Sequence, residues 1–330
     1  MIQIAELLRP EPAPLWKLVQ QAGVTHAVVY LPKDEGGAER PWDYLPMLRM
    51  KTRLEDSGFE VAVIESTPPL DKVRLGLPGK DEEIEQFCVF IRNMGALHIP
   101  VVCYNWMGAF NWLRTSVGIP ARGGALVTGY NHDYMKDAPH TEYGEVSEER
   151  MWENFAYFLH KALPVAEKAK VKLALHPDDP PISPIRGLAR IMRSVEAFQR
   201  VCDMAESEYN GLTLCQGNFT LMTDDLPSTI RHFGKQRRIH FVHFRDVTGT
   251  PDNFKETFHE IGKTDMLACM KVYKELELEC VLRPDHVPTL EGDQNDNPGY
   301  SSIGRLLAIG YIQGLREAVY GRPDKNTSAN

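Results

Sequence analysis

The stretch VKLALHPDDPP, residues 171–181, joins a short apolar run to a rigid polar turn. The length and composition of the run VKLALH are typical of a strand in a parallel sheet that is covered on both faces. His176 closes this run, and Pro177, Pro180 and Pro181 then stiffen the chain, because proline fixes φ and donates no N–H. The stretch therefore predicts a buried strand with a histidine at its carboxyl end.

Seven more runs of the same character lie on either side of this stretch. They are Ile2–Leu8, His26–Leu31, Phe59–Ser66, Ile99–Asn105, Leu212–Gly217, Ile239–Arg245 and Cys280–His286. Each is rich in aliphatic and aromatic residues and has the length of a strand. The first run, IQIAELL, also fits a helical turn, so its assignment as a strand is the weakest of the eight.

Segments with helical periodicity separate the apolar runs. They are Leu15–Ala22, Tyr44–Asp56, Asp81–Met94, Ser147–Lys170, Leu188–Ser207, Leu226–Phe233, Asp265–Leu276 and Ser301–Val319. Strand–helix alternation implies right-handed βαβ units and a parallel sheet. Eight repeats predict an α/β protein with a closed (β/α)₈ barrel, and an open doubly wound sheet is the alternative.

Two connections are too long for ordinary loops between a strand and a helix. Residues 107–146 follow the fourth predicted strand, and residues 246–262 follow the seventh. Long loops in compact domains usually have a function or are disordered, and both leave from strand ends on the face where barrels build active sites. We expect one barrel domain over residues 1–320 with an insertion at about 107–146, followed by a flexible tail over residues 321–330.

Composition excludes several classes of protein and of partner. The chain has 330 residues and a net charge of −8, which gives no basic surface for nucleic acid or for an anionic membrane. No apolar run is long enough to span a bilayer, and the first residues lack the basic and apolar regions of a signal peptide, so we expect neither a transmembrane helix nor a signal peptide. The six cysteines form no CxxC pair, so we expect reduced thiols and a cytoplasmic protein. We also expect a homo-oligomer, a dimer or a tetramer.

Residues that commonly bind metals close four consecutive predicted strands. His176 ends the fifth, Cys215 the sixth, His243 the seventh and Asp285 the eighth. In a closed barrel these ends surround one mouth, so two imidazoles, a thiolate and a carboxylate can meet around one divalent cation. Each residue alone also fits a structural role. A possible metal ligand at the carboxyl end of each of four consecutive strands, however, is unlikely to arise by chance. A four-residue set that leaves room for substrate oxygens favours octahedral Mn²⁺ or Fe²⁺ over Zn²⁺ or Co²⁺.

Other polar residues at the same predicted mouth are candidates for substrate binding or proton transfer. Arg245 and Arg283 suit a substrate carboxylate, and structural salt bridges are the alternative role. Asp178 suits a substrate hydroxyl or a ligand imidazole, or it is part of an exposed acidic turn. Tyr300 offers a phenol for proton transfer or for packing. Glu65 and Asn105 end the third and fourth strands and complete the set of candidates.

At these residues the sequence resembles the D-mannonate dehydratase family. The matching segments run in family order over about residues 60–320, and they are VIES (63–66), VCYNWM (102–107), WLRT (112–115), HPDDPP (176–181), CQG (215–217), VHFR (242–245), RPDH (283–286) and NPGYS with IGR (297–305). The resemblance implies a xylose-isomerase-like TIM barrel with Mn²⁺ or Fe²⁺ held by His176, Cys215, His243 and Asp285. It also implies catalytic roles for His286 and Tyr300, and Asp285 is counted with them as a catalytic residue.

The sequence departs from the family pattern near its start. The family usually opens with Arg-Trp-Tyr-Gly followed by Asp-Pro-Val, whereas residues 6–18 here read ELLRPEPAPLWKL. Asp246 also replaces a small residue after VHFR. The expected substrate is therefore a sugar acid, with D-mannonate as the default.

The sequence predicts a hydro-lyase that converts D-mannonate to 2-keto-3-deoxy-D-gluconate and water. A divalent ion neutralises charge on the carboxylate, and His286 and Tyr300 perform the two proton transfers in an order that the sequence does not fix. A sugar or sugar-acid isomerase or epimerase is the alternative enzyme, since it needs the same proton removal without elimination. A non-catalytic sugar-acid sensor is the alternative from another class.

Overall fold

The computed structural model describes residues 1–34 and 36–322 and contains a closed barrel of eight parallel strands. Strands β1 to β4 are Gln3–Leu8, His26–Val29, Glu60–Ile64 and Val101–Asn105. Two strands of the insertion come next in the chain, β5 (Ser116–Pro120) and β6 (Leu126–Asn131). The barrel continues with β7 (Lys172–His176), β8 (Asn210–Cys215) and β9 (Ile239–Phe244). Two strands of the second insertion follow, β10 (Val247–Thr250) and β11 (Asn253–Glu256). The last barrel strand is β12 (Val281–Pro284). The barrel closes because β1 pairs with both β2 and β12.

Helices pack around the outside of the barrel. They are α1 (Pro14–Gln21), α2 (Tyr44–Asp56), α3 (Asp71–Leu75), α4 (Lys80–Ala96), α5 (Glu148–Ala169), α6 (Val195–Met204), α7 (Gln216–Met222), α8 (Leu226–Lys235), α9 (Met266–Glu275) and α10 (Ser302–Tyr320). The larger apolar core lies between strands and helices, and a smaller cluster that includes Ala5, Val63 and Phe241 fills the barrel interior. The predicted α/β class and closed (β/α)₈ barrel are confirmed, and the open sheet is excluded.

The register of the strands aligns the residues at the mouth. Asn105 is the partner of His176, and Cys215 is the partner of His243. His243 in turn lies beside Arg283 on β12. Residues with the same register on adjacent parallel strands lie at the same height in the barrel, so these side chains share one layer at the carboxyl ends.

The two long connections form a second sheet above the barrel. Its strand order is β10-β11-β6-β5, so it unites the insertion after β4 with the insertion after β9. Tyr130, Leu221, Val247 and Phe254 form a small apolar cluster beneath it. This accessory sheet, defined as β5, β6, β10 and β11, was not predicted from the sequence.

Several elements differ from the sequence prediction. The predicted helix Leu188–Ser207 is confined to Val195–Met204, and residues 188–192 form a buried, extended loop. The sixth strand ends at Cys215, and α7 begins at once with Gln216. The short helices α3 and α7 were not predicted. Of the predicted tail, residues 323–330 lie outside the described residues.

Among the residues described, no helix combines the length and apolar character needed to cross a bilayer. This result agrees with the absence of a long apolar run in the sequence.

Candidate metal centre and active site

A cavity of about 450 Å³ opens at the carboxyl ends of the barrel strands. Of the predicted metal ligands, His176, His243 and Asp285 line it directly. Cys215 lies immediately beside them in a fully buried position. The barrel mouth is where (β/α)₈ proteins assemble catalytic groups from several strands.

Two imidazoles and a thiol converge at the base of this cavity. The donor atoms of His176, Cys215 and His243 all lie within 4.8 Å of one another. The closest pair is His176 Nε2 and His243 Nδ1, at 3.2 Å. Asp285 adds a carboxylate, because its Oδ2 lies 3.6 Å from His243 Nδ1. The structure thus brings together all four residues that the sequence predicted as ligands.

One ring nitrogen of each histidine faces a protein oxygen, which leaves the other ring nitrogen free to bind a metal. His176 Nδ1 lies 2.7 Å from the carbonyl oxygen of Pro177, to which it donates. His243 Nε2 faces Glu65 Oε1 at 3.4 Å without forming a hydrogen bond, and the charge of that carboxylate favours a proton on this nitrogen. The lone pairs therefore lie on His176 Nε2 and His243 Nδ1, which point at each other. Metal-binding histidines usually donate their other N–H to a carbonyl or a carboxylate, so these residues fit a divalent cation.

Burial keeps these donors neutral. It lowers the pKa of His176 to about 3, and the neighbouring His243 adds to this effect. The pKa of His243 is lowered by burial and then by Arg283. Burial raises the pKa of the Cys215 thiol to about 12. The imidazoles are therefore unprotonated near neutral pH, while the thiol needs a nearby cation to become a thiolate.

Two buried arginines hold the carboxylates of the site. Arg283 donates from Nε and Nη2 to the two oxygens of Glu65, at 2.9 and 2.7 Å, and from Nη1 to Asp285 Oδ1 at 2.9 Å. Burial alone raises the pKa of Glu65, but Arg283 and then His243 outweigh it and lower this pKa to about 2. Arg245 donates to Asp179 Oδ2 at 2.9 Å and lies 3.5 Å from Asp285 Oδ2. Glu65 and Asp285 are consequently ionised, as metal-site carboxylates must be.

The remaining predicted substrate residues divide into two groups. Asn105, Glu65, Arg245 and Arg283 line the cavity. Asp178 does not belong to this group. It is fully buried, accepts the backbone N–H of Met192 at 2.7 Å and pairs with Arg190 at 3.3 Å, so it anchors the extended loop after β7. The neighbouring Asp179 lines the cavity instead, since adjacent residues point in different directions.

His286 and Tyr300 both reach the cavity from the segment that follows β12. That strand ends at Pro284, and His286 has a φ of 40°, so the chain turns out of the barrel at this point. The phenol of Tyr300 donates to Asp285 Oδ1 at 3.4 Å, and burial raises its pKa well above the usual value. Gly299 packs against the His286 ring with a φ of 86°, a conformation that a side chain would strain.

Comparison with known proteins identifies the family of this chain. The model of the D-mannonate dehydratase family (UxuA) matches residues 11–142 and 138–325. A mannonate dehydratase of Streptococcus pneumoniae (strain 70585) is 35% identical over 323 residues, which cover 90% of this chain and 87% of that protein. The chain belongs to the D-mannonate dehydratase family.

Solved structures agree with this assignment. The crystal structure of mannonate dehydratase from Streptococcus suis serotype 2 superposes with a TM-score of 0.89 at 33% identity, covering 100% of this chain and 97% of that one. A xylose isomerase domain protein from Alicyclobacillus acidocaldarius subsp. acidocaldarius has a TM-score of 0.62 at 12% identity, covering 96% of this chain and 100% of that one, and shows the shared fold alone. The predicted family and the xylose-isomerase-like barrel are both confirmed.

Sequence analysis missed several residues that complete the site in this member of the D-mannonate dehydratase family. Trp112 lines the cavity, and its ring centroid lies 4.9 Å from that of His286. Arg114 and Glu256 are both buried and lie beside His286 Nδ1, at 3.1 and 3.0 Å. All three come from the two insertions. The unusual lengths of these connections and the family-like segment WLRT (112–115) were the signals in the sequence, but they did not show which side chains reach the barrel mouth.

Proposed function

We propose that this protein dehydrates D-mannonate to 2-keto-3-deoxy-D-gluconate and water. One observation carries the proposal beyond family membership. The lone pairs of His176 and His243, the Cys215 thiol and the Asp285 carboxylate converge in the same cavity that His286 and Tyr300 line. A set of metal donors beside two groups that can transfer protons is what this elimination requires.

The reaction removes the proton from C2, next to the carboxylate, and the hydroxyl group from C3. The C2–H electrons form the new double bond while the C3–O bond breaks, and the resulting enol tautomerises to the 2-keto acid. A bound divalent ion supplies Lewis-acid stabilisation of charge on the substrate carboxylate. His286 and Tyr300 are assigned to the two proton transfers, one taking the C2 proton and the other protonating the departing hydroxyl.

His176, Cys215, His243 and Asp285 are the residues that hold the metal in this proposal. The mixed nitrogen, sulfur and oxygen set, together with substrate oxygens, favours Mn²⁺ or Fe²⁺ over Zn²⁺ or Co²⁺. The carboxylates of Glu65, which is partly buried, and of Asp285, which is buried, contribute negative charge, which supports a cation between the two histidines.

Arg245 and Arg283 both line the cavity and are the two candidates for binding the substrate carboxylate. Arg245 Nη1 donates to Asp179 Oδ2 at 2.9 Å, and its Nη2 lies 3.2 Å from Glu256 Oε1. All three nitrogens of the Arg283 guanidinium already donate, to Glu65, Asp285 and the carbonyl oxygen of Pro284. Asn105 and Glu65 are assigned to substrate hydroxyls, since both line the cavity.

The test is incubation of Mn²⁺- or Fe²⁺-loaded protein with D-mannonate, with the products identified by NMR and by a colorimetric assay for 2-keto-3-deoxy acids. Formation of the keto-deoxy acid supports the proposal. Conversion to an isomeric sugar acid contradicts it in favour of an isomerase or epimerase. Unchanged D-mannonate that nevertheless protects the protein against thermal unfolding indicates a binding protein.

We propose further that residues 1–320 form a single domain and that the protein is a cytoplasmic homo-oligomer, a dimer or a tetramer. Large apolar side chains are exposed on α10 and near it, among them Ile261, Ile303 and Leu307, at 48%, 41% and 46%. Surfaces of this kind favour self-association. All six cysteines carry free thiols, which suits a reducing compartment. Light scattering of the purified protein measures the oligomeric state.

A further inference from the structure

The accessory sheet brings a carboxylate from 30 residues away in sequence against His286. Glu256 is the last residue of β11 and is 2% exposed. Its Oε1 lies 3.0 Å from His286 Nδ1, 2.6 Å from Arg114 Nη2 and 3.2 Å from Arg245 Nη2. His286 Nδ1 thus has two neighbours within hydrogen-bond distance, Glu256 Oε1 and Arg114 Nη2. An arginine can only donate, whereas a carboxylate only accepts, so these two neighbours demand opposite tautomers of the imidazole.

The hydrogens of Arg114 decide between the two tautomers. Nη1 donates to Asp179 Oδ1 at 2.7 Å and to the carbonyl oxygen of Leu113 at 2.9 Å. Nη2 donates to Asp179 Oδ2 at 2.9 Å and to Glu256 Oε1 at 2.6 Å. Each η nitrogen carries two hydrogens, so all four are already used in these bonds. Arg114 therefore has no hydrogen left for His286 Nδ1.

Nδ1 of His286 consequently carries a proton and donates it to Glu256 Oε1 at 3.0 Å. The opposite nitrogen, Nε2, makes no hydrogen bond within the described residues and lies 4.0 Å from Asp285 Oδ1. The ring is held on its faces and edge by Trp112 and Tyr300, whose centroids lie 4.9 and 5.3 Å away. A bare ring nitrogen that faces the cavity beside a metal-binding carboxylate is in position to accept a proton.

We propose that Glu256 is a positioning residue for His286. It fixes the imidazole with Nδ1 protonated and Nε2 free, so that His286 is the group that takes the C2 proton and Tyr300 is the group that protonates the departing hydroxyl. Arg114 holds Glu256 and Asp179 in place without contacting the substrate. This inference rests on the proposed dehydration and assigns the two roles that the sequence left open.

Kinetics of three variants test the inference. Glu256→Ala removes the acceptor, Glu256→Gln keeps an amide oxygen as a weaker acceptor, and Lys255→Ala is the matched control, since it is an exposed position on the same strand. We expect kcat of Glu256→Ala to fall about 100-fold, the scale of general acid–base catalysis. KM and metal content should stay near those of the control. Glu256→Gln should retain more activity, with a loss of about tenfold.

Addition of formate separates positioning from a purely structural role. Formate supplies a carboxylate in place of the missing one and should restore part of kcat in Glu256→Ala, with no effect on Lys255→Ala. A kcat of Glu256→Ala within about threefold of the control overturns the inference. A loss confined to KM or to metal content also overturns the inference. So does the combination of a Glu256→Gln variant that is as inactive as Glu256→Ala and a Glu256→Ala variant that does not respond to formate.

A measurement without substrate distinguishes failure of this inference from failure of the proposed reaction. The ¹⁵N shifts of the His286 ring in Zn²⁺-loaded protein, assigned by their loss in His286→Gln, report the tautomer directly. The Nδ1–H form is expected in wild type and in Lys255→Ala, and a mixture or the Nε2–H form in Glu256→Ala. An Nε2–H imidazole in wild type overturns the inference whatever the protein does to D-mannonate.

Discussion

At the scale of single residues, Asp285 and His286 are neighbours in the chain with different surroundings. The backbone N–H of Asp285 still bonds to Phe244 on β9, and its carboxylate faces His243 and both arginines. His286 lies after the turn out of the barrel and faces Glu256. Adjacent residues thereby have different neighbours, as the proposed roles of Asp285 as a metal ligand and of His286 as a proton-transfer group require.

Substitution of these two residues should separate metal binding from catalysis. Asp285→Ala is expected to lose metal and activity together, because it removes a charged ligand. His286→Ala should keep near-stoichiometric metal and lose kcat by about 100-fold or more, since a proton-transfer group is removed. Elemental analysis and steady-state kinetics on both variants provide the measurement. Purification of His286→Ala without metal would show that His286 is a ligand and that its assigned role is wrong.

Tyr300 offers a second test at the residue scale. Its phenol lies beside Asp285 in a partly buried position, and desolvation raises its pKa, so it remains protonated at neutral pH. Tyr300→Phe keeps the ring against His286 and Arg305 but removes the hydroxyl. We expect kcat to fall about 100-fold with little change in melting temperature. Tyr311→Phe on α10 is the matched control, and equal activity of the two variants would contradict the assignment.

At the scale of elements, the accessory sheet connects the insertions to the active site. Phe254 on β11 packs on Tyr130 of β6, with ring centroids 6.1 Å apart, and Arg114 lies over the Phe254 ring at 5.0 Å. Arg114 and Glu256 flank this contact in the structure and both reach His286. The small apolar cluster under the sheet therefore supports the catalytic geometry.

Phe254→Ala should weaken the accessory sheet while the barrel remains folded. Truncation of a buried Phe typically costs about 3–5 kcal/mol, and here the cost falls on a sheet with few other apolar contacts. We expect faster proteolysis within residues 107–146 and a lower kcat, with far-UV circular dichroism and metal content close to wild type. Val117→Ala, at an exposed position of β5, is the control. Loss of metal in Phe254→Ala would show instead that the sheet supports the metal ligands.

The barrel was predictable from sequence because its signals are local, whereas the accessory sheet was not. Each apolar run and the polar residue at its end lie within a few positions of one another in the sequence. The strand ends at His176, Cys215 and His243 could therefore be predicted from local sequence. The pairing of β6 with β11 places Tyr130 opposite Phe254, more than a hundred residues away in sequence. Neither segment contains a sequence signal that identifies the other as its pairing partner. Asp178 was chosen over Asp179 for the same reason, since local sequence does not show which way a side chain points after a strand ends.

At the scale of the whole molecule, the metal should contribute both to activity and to stability. The four proposed ligands lie on or directly after β7, β8, β9 and β12, so a cation bound by them would tie these strands together. A ligand at a hundred times its Kd stabilises the folded state by about 2.7 kcal/mol. We expect chelation to abolish activity and lower the melting temperature by a few degrees, and Mn²⁺ or Fe²⁺ to restore both. Full activity in protein shown by elemental analysis to be metal-free would contradict this expectation.

The altered start of the chain should leave the preference for D-mannonate intact. No residue of β1 lines the cavity among the described residues, whose wall begins with Tyr30. Glu6, at the position of the family's aromatic stretch, is buried and accepts hydrogen bonds from the N–H of Leu7 at 2.8 Å and from Arg305 at 3.4 Å. This change therefore affects the support of α10 and not the substrate contacts.

We accordingly expect kcat/KM for D-mannonate of about 10⁴ M⁻¹s⁻¹ or above, within the normal range for enzymes. The measurement is initial rates of the metal-loaded enzyme on a panel of aldonic acids under one set of conditions. A rate constant far below this value, together with a higher one for another acid, would show that the substituted residues of β1 reshape the cavity.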